Sequence, residues 1–525
     1  MALPGWVDEF RRAVGRLLGG RSRPASPGAW EARRRNRRVT ASLLGVLLIV
    51  ILALGAAHLV RSRRPAPPSA PAIAVLPFAN LDGGHDQDYF ADGITEEIQG
   101  ALAQVPGLRV IGRTSSFALK GKGLDPREVG RRLGATTVLD GSVRRSGNRL
   151  RVTAQVVDAR DGYPIWSQVF DRASGDVLAV QDEIGQAVAA ALALRLVPGP
   201  GGRGNARAVD PEAYNQYLLA RKFLDSSDLD GFVRAAAASE SALALAPSFA
   251  PAWATLAEAH AGMADYIEDP AEMRADLKTA VEASARAIAL DPRLAEAYAV
   301  RAQLLAQVSW DWERAAGDYD RALALAPGNA DILRKKAAWL LAPQGRLPEA
   351  IDAARRATEL DPLSVSAWVS LGNLQVGNGL GADGERSLRR ALEIDPQSDY
   401  AHESLAVREL LAGRFDASLA ESRLCTEGVW QVRGIALAEA GRGDLPAAHA
   451  ALRELEARYA TPSPYQIAEV HAWLGDRDGA FAWLERAWDA RDGGLLILQW
   501  DPLLRDLRGD PRLAAIQRRM NLPAN

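Results

Sequence analysis

Apolar residues recur along this chain at three spacings, and each predicts a different kind of element. From Val39 to Val60 they form one run of 22 residues without a formal charge. Between residues 73 and 197, short apolar runs alternate with stretches of helical period. Ile73-Ala-Val-Leu-Pro-Phe78 predicts a strand. Tyr89–Val105 predicts a helix with Ile94, Ile98, Leu102 and Val105 on one face. Leu108–Ile111 predicts a second strand, and Pro126–Leu133 a short helix with Asp125 as N-cap. Thr137–Arg144 and Leu150–Asp158 flank Ser146-Gly147-Asn148, a turn of hairpin chemistry. Ile165–Asp171 adds a third strand to that meander, and Val177–Leu196 closes the segment as a helix. The order βαβαβββα predicts a compact α/β domain over 73–197.

Beyond residue 210 the helical period takes over and the chain repeats itself. ALALAP (242–247), AIALDP (287–292), ALALAP (322–327), ATELDP (357–362) and ALEIDP (391–396) end in prolines 45, 35, 35 and 34 residues apart. A unit of about 34 residues suits a pair of helices whose second member is stopped by proline. An insertion around Tyr266–Ala275 accounts for the long first interval. Five or six clear repeats follow from Gln216, weaker pairs cover Trp430–Tyr459 and Tyr465–Ala490, and Trp500 to Pro523 forms a closing cap.

Composition adds compartment and orientation. The chain has 525 residues, 63 basic and 65 acidic, and 48% are apolar. That balance excludes a globally basic nucleic-acid binder and a highly charged disordered chain, so no nucleic-acid partner is expected. Residues 1–38 are the exception, with ten Arg against Asp8, Glu9 and Glu31. Residues 39–60 are long enough to cross a bilayer and too long for the apolar region of a signal peptide. Arg33, Arg34, Arg35, Arg37 and Arg38 stand before the run, and Arg61, Arg63 and Arg64 after it. The expectation is a single-pass inner-membrane protein with residues 1–38 as a basic cytoplasmic tail, its span at 39–60 and the bulk exported to the periplasm. Trp6, Phe10, Val14, Leu17 and Leu18 give that tail an amphipathic face. Residues 61–72 form a Pro-rich linker and residues 198–209 a Gly-rich one.

Candidate chemistry is sparse. Asp82, His85, Asp86 and Asp88 crowd one loop but miss the alternate acids, glycine and distal Glu of a calcium loop. Asp92, Glu96 and Glu97 open a helix, where acids favour the dipole. Arg113-Thr-Ser-Ser116 can hold an anion or simply form a polar turn. No nucleophile–base pair or phosphate loop stands out, so no catalytic, cofactor-binding or metal-binding residue is assigned and a non-enzymatic role is expected. Cys425, the single cysteine, replaces the small core residue of neighbouring repeats and is expected to be buried.

Two stretches resemble known families. AVLPFANL (74–81), DYFADGITEEI (88–98), LRVIGRTSSF (108–117), LGATTVLDGSVRR (133–145), VTAQVVDARDGYPIWSQVFDR (152–172) and VQDEIGQAV (180–188) resemble the TolB amino-terminal-like (FlgO-like) domain. That resemblance brings no catalytic residues with it. Residues 210–525 resemble a tetratricopeptide (TPR) solenoid. One repeat carries Trp368, Leu371, Gly372, Leu388, Ala391 and Pro396, and another Ala315, Tyr319, Ala322 and Pro327. The TPR resemblance implies a superhelix whose concave groove includes Glu258, Lys335, Trp339, Asn373, Tyr400 and Glu403. Lys335 stands where carboxylate-clamp relatives have a Lys, but Trp339 replaces the expected Asn. The fold class expected is multidomain: one transmembrane helix, an α/β TolB-like domain and an all-α TPR solenoid. The function expected is an anchored scaffold binding proteins or peptides in that groove. The alternative is a periplasmic sensor or signalling subunit coupled through the short tail to a cytoplasmic regulator.

Overall fold

The computed structural model describes residues 71–82, 88–105, 107–147, 149–173, 176–192, 209–226, 228–264, 266, 267, 269–426 and 428–522. Six strands form one mixed sheet: β1 (Ala72–Val75), β2 (Ala79–Asn80), β3 (Arg109–Val110), β4 (Thr137–Ser146), β5 (Arg149–Asp158) and β6 (Pro164–Ala173). Their order is β3-β1-β4-β5-β6, with β2 also on β4. β1 pairs in parallel with β3 and β4, whereas β4, β5 and β6 form the antiparallel meander expected from the turn residues. Helices cover both faces. On one lie α1 (Asp88–Ala103) and, after α2 (Arg113–Phe117) and α3 (Pro126–Leu133), α4 (Val177–Ala191). Ile94, Ile98, Leu102, Ile184 and Val188 pack there against Val75, Leu139 and Val152. On the other face, Leu119, Val129 and Leu133 pack on Ala74, Ile111 and Val138. Asp125 caps α3 as expected, accepting from the Arg127 amide.

The remainder is helical. The first helix pair is α5 (Pro211–Leu224) with α6 (Leu229–Leu245), followed by α7 (Ala250–Ala264) with α8 (Pro270–Leu290). Next come α9 (Ala295–Leu304) with α10 (Trp312–Leu325), and α11 (Ala330–Lys336) with α12 (Leu347–Leu360). α13 (Val365–Gly377) pairs with α14 (Gly381–Ile394), and α15 (Asp399–Leu411) with α16 (Phe415–Ser422). The last pairs are α17 (Gly428–Arg442) with α18 (Leu445–Tyr459), and α19 (Pro464–Trp473) with α20 (Arg477–Ala490). Two short 3₁₀ turns and α21 (Pro511–Arg519) close the chain. Ala315, Ala322, Ala350, Ala357 and Ala391 are fully buried where paired helices meet, which is why small residues recur there. The array starts at Pro211, where Asp210 caps α5 and Pro211 occupies its first position.

The transmembrane component of the expected fold class is corrected here. Among the described residues no helix is long and apolar enough to cross a membrane. The longest, α8, spans 21 residues but carries charges along its length, among them Arg274, Asp276, Lys278, Glu282 and Arg286. The expected span at 39–60, like the tail at 1–38 and most of the Pro-rich linker, lies outside the described residues. The single-pass, exported topology therefore has no span in the structure to support it, and no localisation is carried forward.

Candidate functional site: a cavity between the α/β domain and the repeats

The α/β domain is seated on the first helix pairs of the solenoid through α1 and α2. Gly93 lets α1 approach α5, since a Cβ there would fall on the Leu218 side chain. Around that contact Phe90 meets Tyr214 edge-on, with ring centroids 6.3 Å apart, and the Tyr89 hydroxyl donates to Asn215 at 2.6 Å. One turn on, Glu96 pairs with Arg221 at 2.9 Å, and the Tyr217 hydroxyl donates to Glu97. Arg113 pairs with Glu96 and with Asp225. Burial pushes the Asp225 carboxyl upward, opposed by Arg113.

A second contact lies at the turn between α12 and α13. The Asp361 carboxylate accepts from the Ser115 amide at 2.8 Å and from the Ser115 hydroxyl, and that hydroxyl accepts from the Leu363 amide at 2.8 Å. The Gly112 amide donates to Leu360 O at 2.6 Å. Gly112 is required there, because a Cβ would lie inside the Asp361 carboxyl group. Burial raises the Asp361 pKa, and the hydrogen bonds from Ser115 and Thr114 pull it back.

Between these contacts lies a cavity of about 460 Å³. Arg113, Arg221, Lys335, Glu258 and Asp331 are among its lining residues. Two expected groove residues meet here: Lys335 Nζ pairs with Glu258 at 2.9 Å and with Asp331 at 3.0 Å. Lys335 holds the Glu258 carboxyl below its usual range. Burial pushes the Lys335 ammonium down, but Asp331 and Glu258 outweigh it and hold the group above its usual value.

The other four groove candidates are dispersed. Trp339 sits in a π-helical turn, Ala337–Leu341, and packs half-buried against the core. The extra residue in that turn shifts the register that helical spacing would give it. Asn373, on α13, is half-buried. Glu403 pairs with Arg433, which also reaches Glu469 at 2.7 Å. Beside them the Tyr465 hydroxyl hydrogen-bonds Asp501 at 2.9 Å, so the closing segment covers the first helices of the last pairs. Trp500 of that segment reaches back to α13, where a Cβ on Gly377 would strike its ring. Tyr400 alone among the six stays outside, 60% exposed, with its ring 6.3 Å from that of Trp430.

Sequence reasoning misses the docking residues. It assigns Asp92, Glu96 and Glu97 to the helix dipole, but Asp92 pairs with Lys120 while Glu96 and Glu97 hold α5. Arg113-Thr-Ser-Ser116 does receive an anion, and the anion is a carboxylate of the same chain. In the crowded acidic loop, Asp82 accepts from the Arg145 amide, and His85 and Asp86 lie outside the described residues. Cys425 is 1% exposed, and burial pushes its thiol up to about 12.

No family model matches the chain. A protein of Rhizobium meliloti (strain 1021) named putative adenylate cyclase 3 is 48% identical over 159 residues, which is 30% of this chain. The chain spans about a quarter of that relative's length, the matched share being 27%. Solved structures similar to the chain are TPR proteins. Yeast Tom70 is 19% identical over 61% of this chain and 70% of its own, with a TM-score of 0.37. PilW, a type IV pilus biogenesis factor, is 21% identical over 41% of this chain and 98% of its own, with a TM-score of 0.34. Those scores are low, so the TPR character rests on this chain's own helix pairs and period. The exclusion of nucleic acid is not carried forward, since it rests on net charge alone.

Proposed function

We propose that this protein is a non-enzymatic interaction scaffold that engages a protein partner through the rim of its later repeats. The observation that carries this reading is the exposed Tyr400 beside half-buried Trp430, at the starts of α15 and α17. Leu424, in the turn leading into α17, is 57% exposed as well. Aromatic and apolar side chains presented on a rigid helical rim are the usual anchors of a protein interface. Glu258 and Lys335 of the expected groove are already paired with each other beside the α/β domain, so the rim is the more available surface.

A photocrosslinker placed at Tyr400 in cells, beside a control placed at the exposed Arg160 of the α/β domain, tests the reading. A partner captured at Tyr400, absent at Arg160 and lost in Trp430→Ala/Leu424→Ala supports it. Equal capture by that double variant overturns it. The adenylate cyclase name of the relative gives the enzymatic alternative its own assay. Purified protein with ATP and Mg²⁺ is expected to make no cyclic AMP, and cyclic AMP formation would refute the non-enzymatic part.

A ligand-responsive signalling subunit is the second reading. It is favoured by the 460 Å³ cavity, where a bound molecule would touch both the α/β domain and the solenoid.

A further inference from the structure

Beneath the turn joining α13 to α14 lies another cavity, of about 320 Å³. That turn, the end of α15 and the closing segment around Pro502–Arg508 line it, and it opens to solvent. Its charged lining is Arg408, Arg505 and Arg508, and among the described residues no carboxylate lines it. We propose that this cavity binds a small phosphomonoester through its phosphoryl dianion.

Arg505 and Arg508 bring donors that the protein uses only weakly, and Arg408 adds a nearby charge. The Arg408 side chain is 11% exposed and pairs with Glu385 at 2.7 Å, while its Nε donates to Gly381 O. Its Nη1 is buried away from the cavity, with Glu409 at 4.0 Å, so Arg408 acts there through its charge. Arg508 makes one long bond, 3.4 Å, to Asp501 O. The Asp501 carboxyl itself is taken by Tyr465 and by the Leu503 amide. Arg505 pairs loosely with its neighbour Asp506, at 3.6 Å on the open surface, and lies 5.9 Å from the Trp473 ring.

Three guanidinium groups, with no carboxylate beside them among the described lining residues, favour an anion of more than one charge. Forked guanidinium donors match the oxygen geometry of phosphate. α14 also begins at the wall of the cavity, and its N-cap, Leu380, has no side-chain acceptor for the first amides. Val376 and Leu411 supply an apolar wall for the body of the ester.

Such a ligand would tie the closing segment to α13–α15, so binding should raise thermal stability. The test is titration of the full chain with inorganic phosphate, phenyl phosphate and citrate at matched ionic strength, followed by calorimetry and melting temperature. The expected result is saturable binding of both phosphates, phenyl phosphate the tighter, with a raised Tm. Arg505→Ala/Arg508→Ala should weaken binding at least about tenfold, a loss of roughly 1.4 kcal/mol. Arg508→Lys, which keeps the charge and loses the fork, should fall between and guards against a folding artefact. Unchanged affinity in both variants, no binding of either phosphate, or preference for citrate would each overturn the proposal.

Discussion

Asp361 and Ser115, 246 residues apart in sequence, meet through two hydrogen bonds to one carboxylate oxygen. The acid belongs to the repeat motif ATELDP, and the serine to a short helix of the α/β domain. A residue type that the repeat uses at several turns is thus turned to fastening a second domain. Asp361 is 6% exposed, so its carboxylate depends on these donors. Asp361→Ala leaves the Ser115 amide without its acceptor and should cost about 1–3 kcal/mol. Limited proteolysis checks the outcome, with faster cleavage expected between the two domains.

Gly112→Ala should loosen the same contact without removing any polar group, since the new Cβ and the Asp361 carboxyl cannot occupy one place. Gly100→Ala is the control. Its Cβ meets nothing within 4 Å, and on α1 the change should be neutral or stabilising by up to about 1 kcal/mol. Thermal melts should therefore show a lowered Tm for Gly112→Ala and an unchanged or raised Tm for Gly100→Ala.

Arg433 is 4% exposed and lies between Glu403 and Glu469. Burial drives the Glu469 carboxyl well above its usual range, and Arg433 opposes the shift. Arg433→Met strands Glu403 beside buried acids and should destabilise by about 3–5 kcal/mol. Arg433→Met/Glu403→Gln should recover part of that loss, as read by denaturant titration.

Asp492 sets a pH dependence. Burial raises its carboxyl from 3.8 to about 6, against the opposing bonds from the Tyr465 and Gly494 amides. The folded chain therefore holds this proton more tightly than the unfolded chain does. Its contribution is full below about pH 4 and is lost as pH rises through about 6, on the order of 3 kcal/mol in all. Asp492→Asn should flatten the stability profile across that window, which melting experiments from about pH 4 to about pH 7 would reveal.

Cys425 should resist a thiol reagent at about pH 8 in the native protein, because its thiol is buried and held at about 12. Rapid labelling without denaturant would contradict this, whereas rapid labelling after unfolding is expected.

The helix pairs are legible in the sequence because small residues and prolines repeat at a fixed period, a signal that each repeat carries within itself. The β4–β5 hairpin is legible for the same reason, its turn residues being local. The docking of the two domains is not. Glu96 and Arg221 are 125 positions apart, and Ser115 and Asp361 still further, so nothing nearby in sequence marks them as partners. Acids at a helix start already have a sufficient local explanation in the dipole. The π-helical turn at Ala337–Leu341, which holds Trp339, has no marker in the sequence pattern. Lys335, one turn earlier in regular helix, pairs with Glu258, 77 positions away in sequence.

Amide hydrogen exchange of the full chain reports whether the α/β domain lies against the solenoid at Asp361. Gly112, Ser115 and Leu363 each donate across the contact. Their amides should be protected together in the native protein and should all lose protection in Asp361→Ala, while β4 and β5 keep theirs. Exchange of these three amides at the rate of an open loop in the unmodified protein would mean that the two domains do not meet at Asp361.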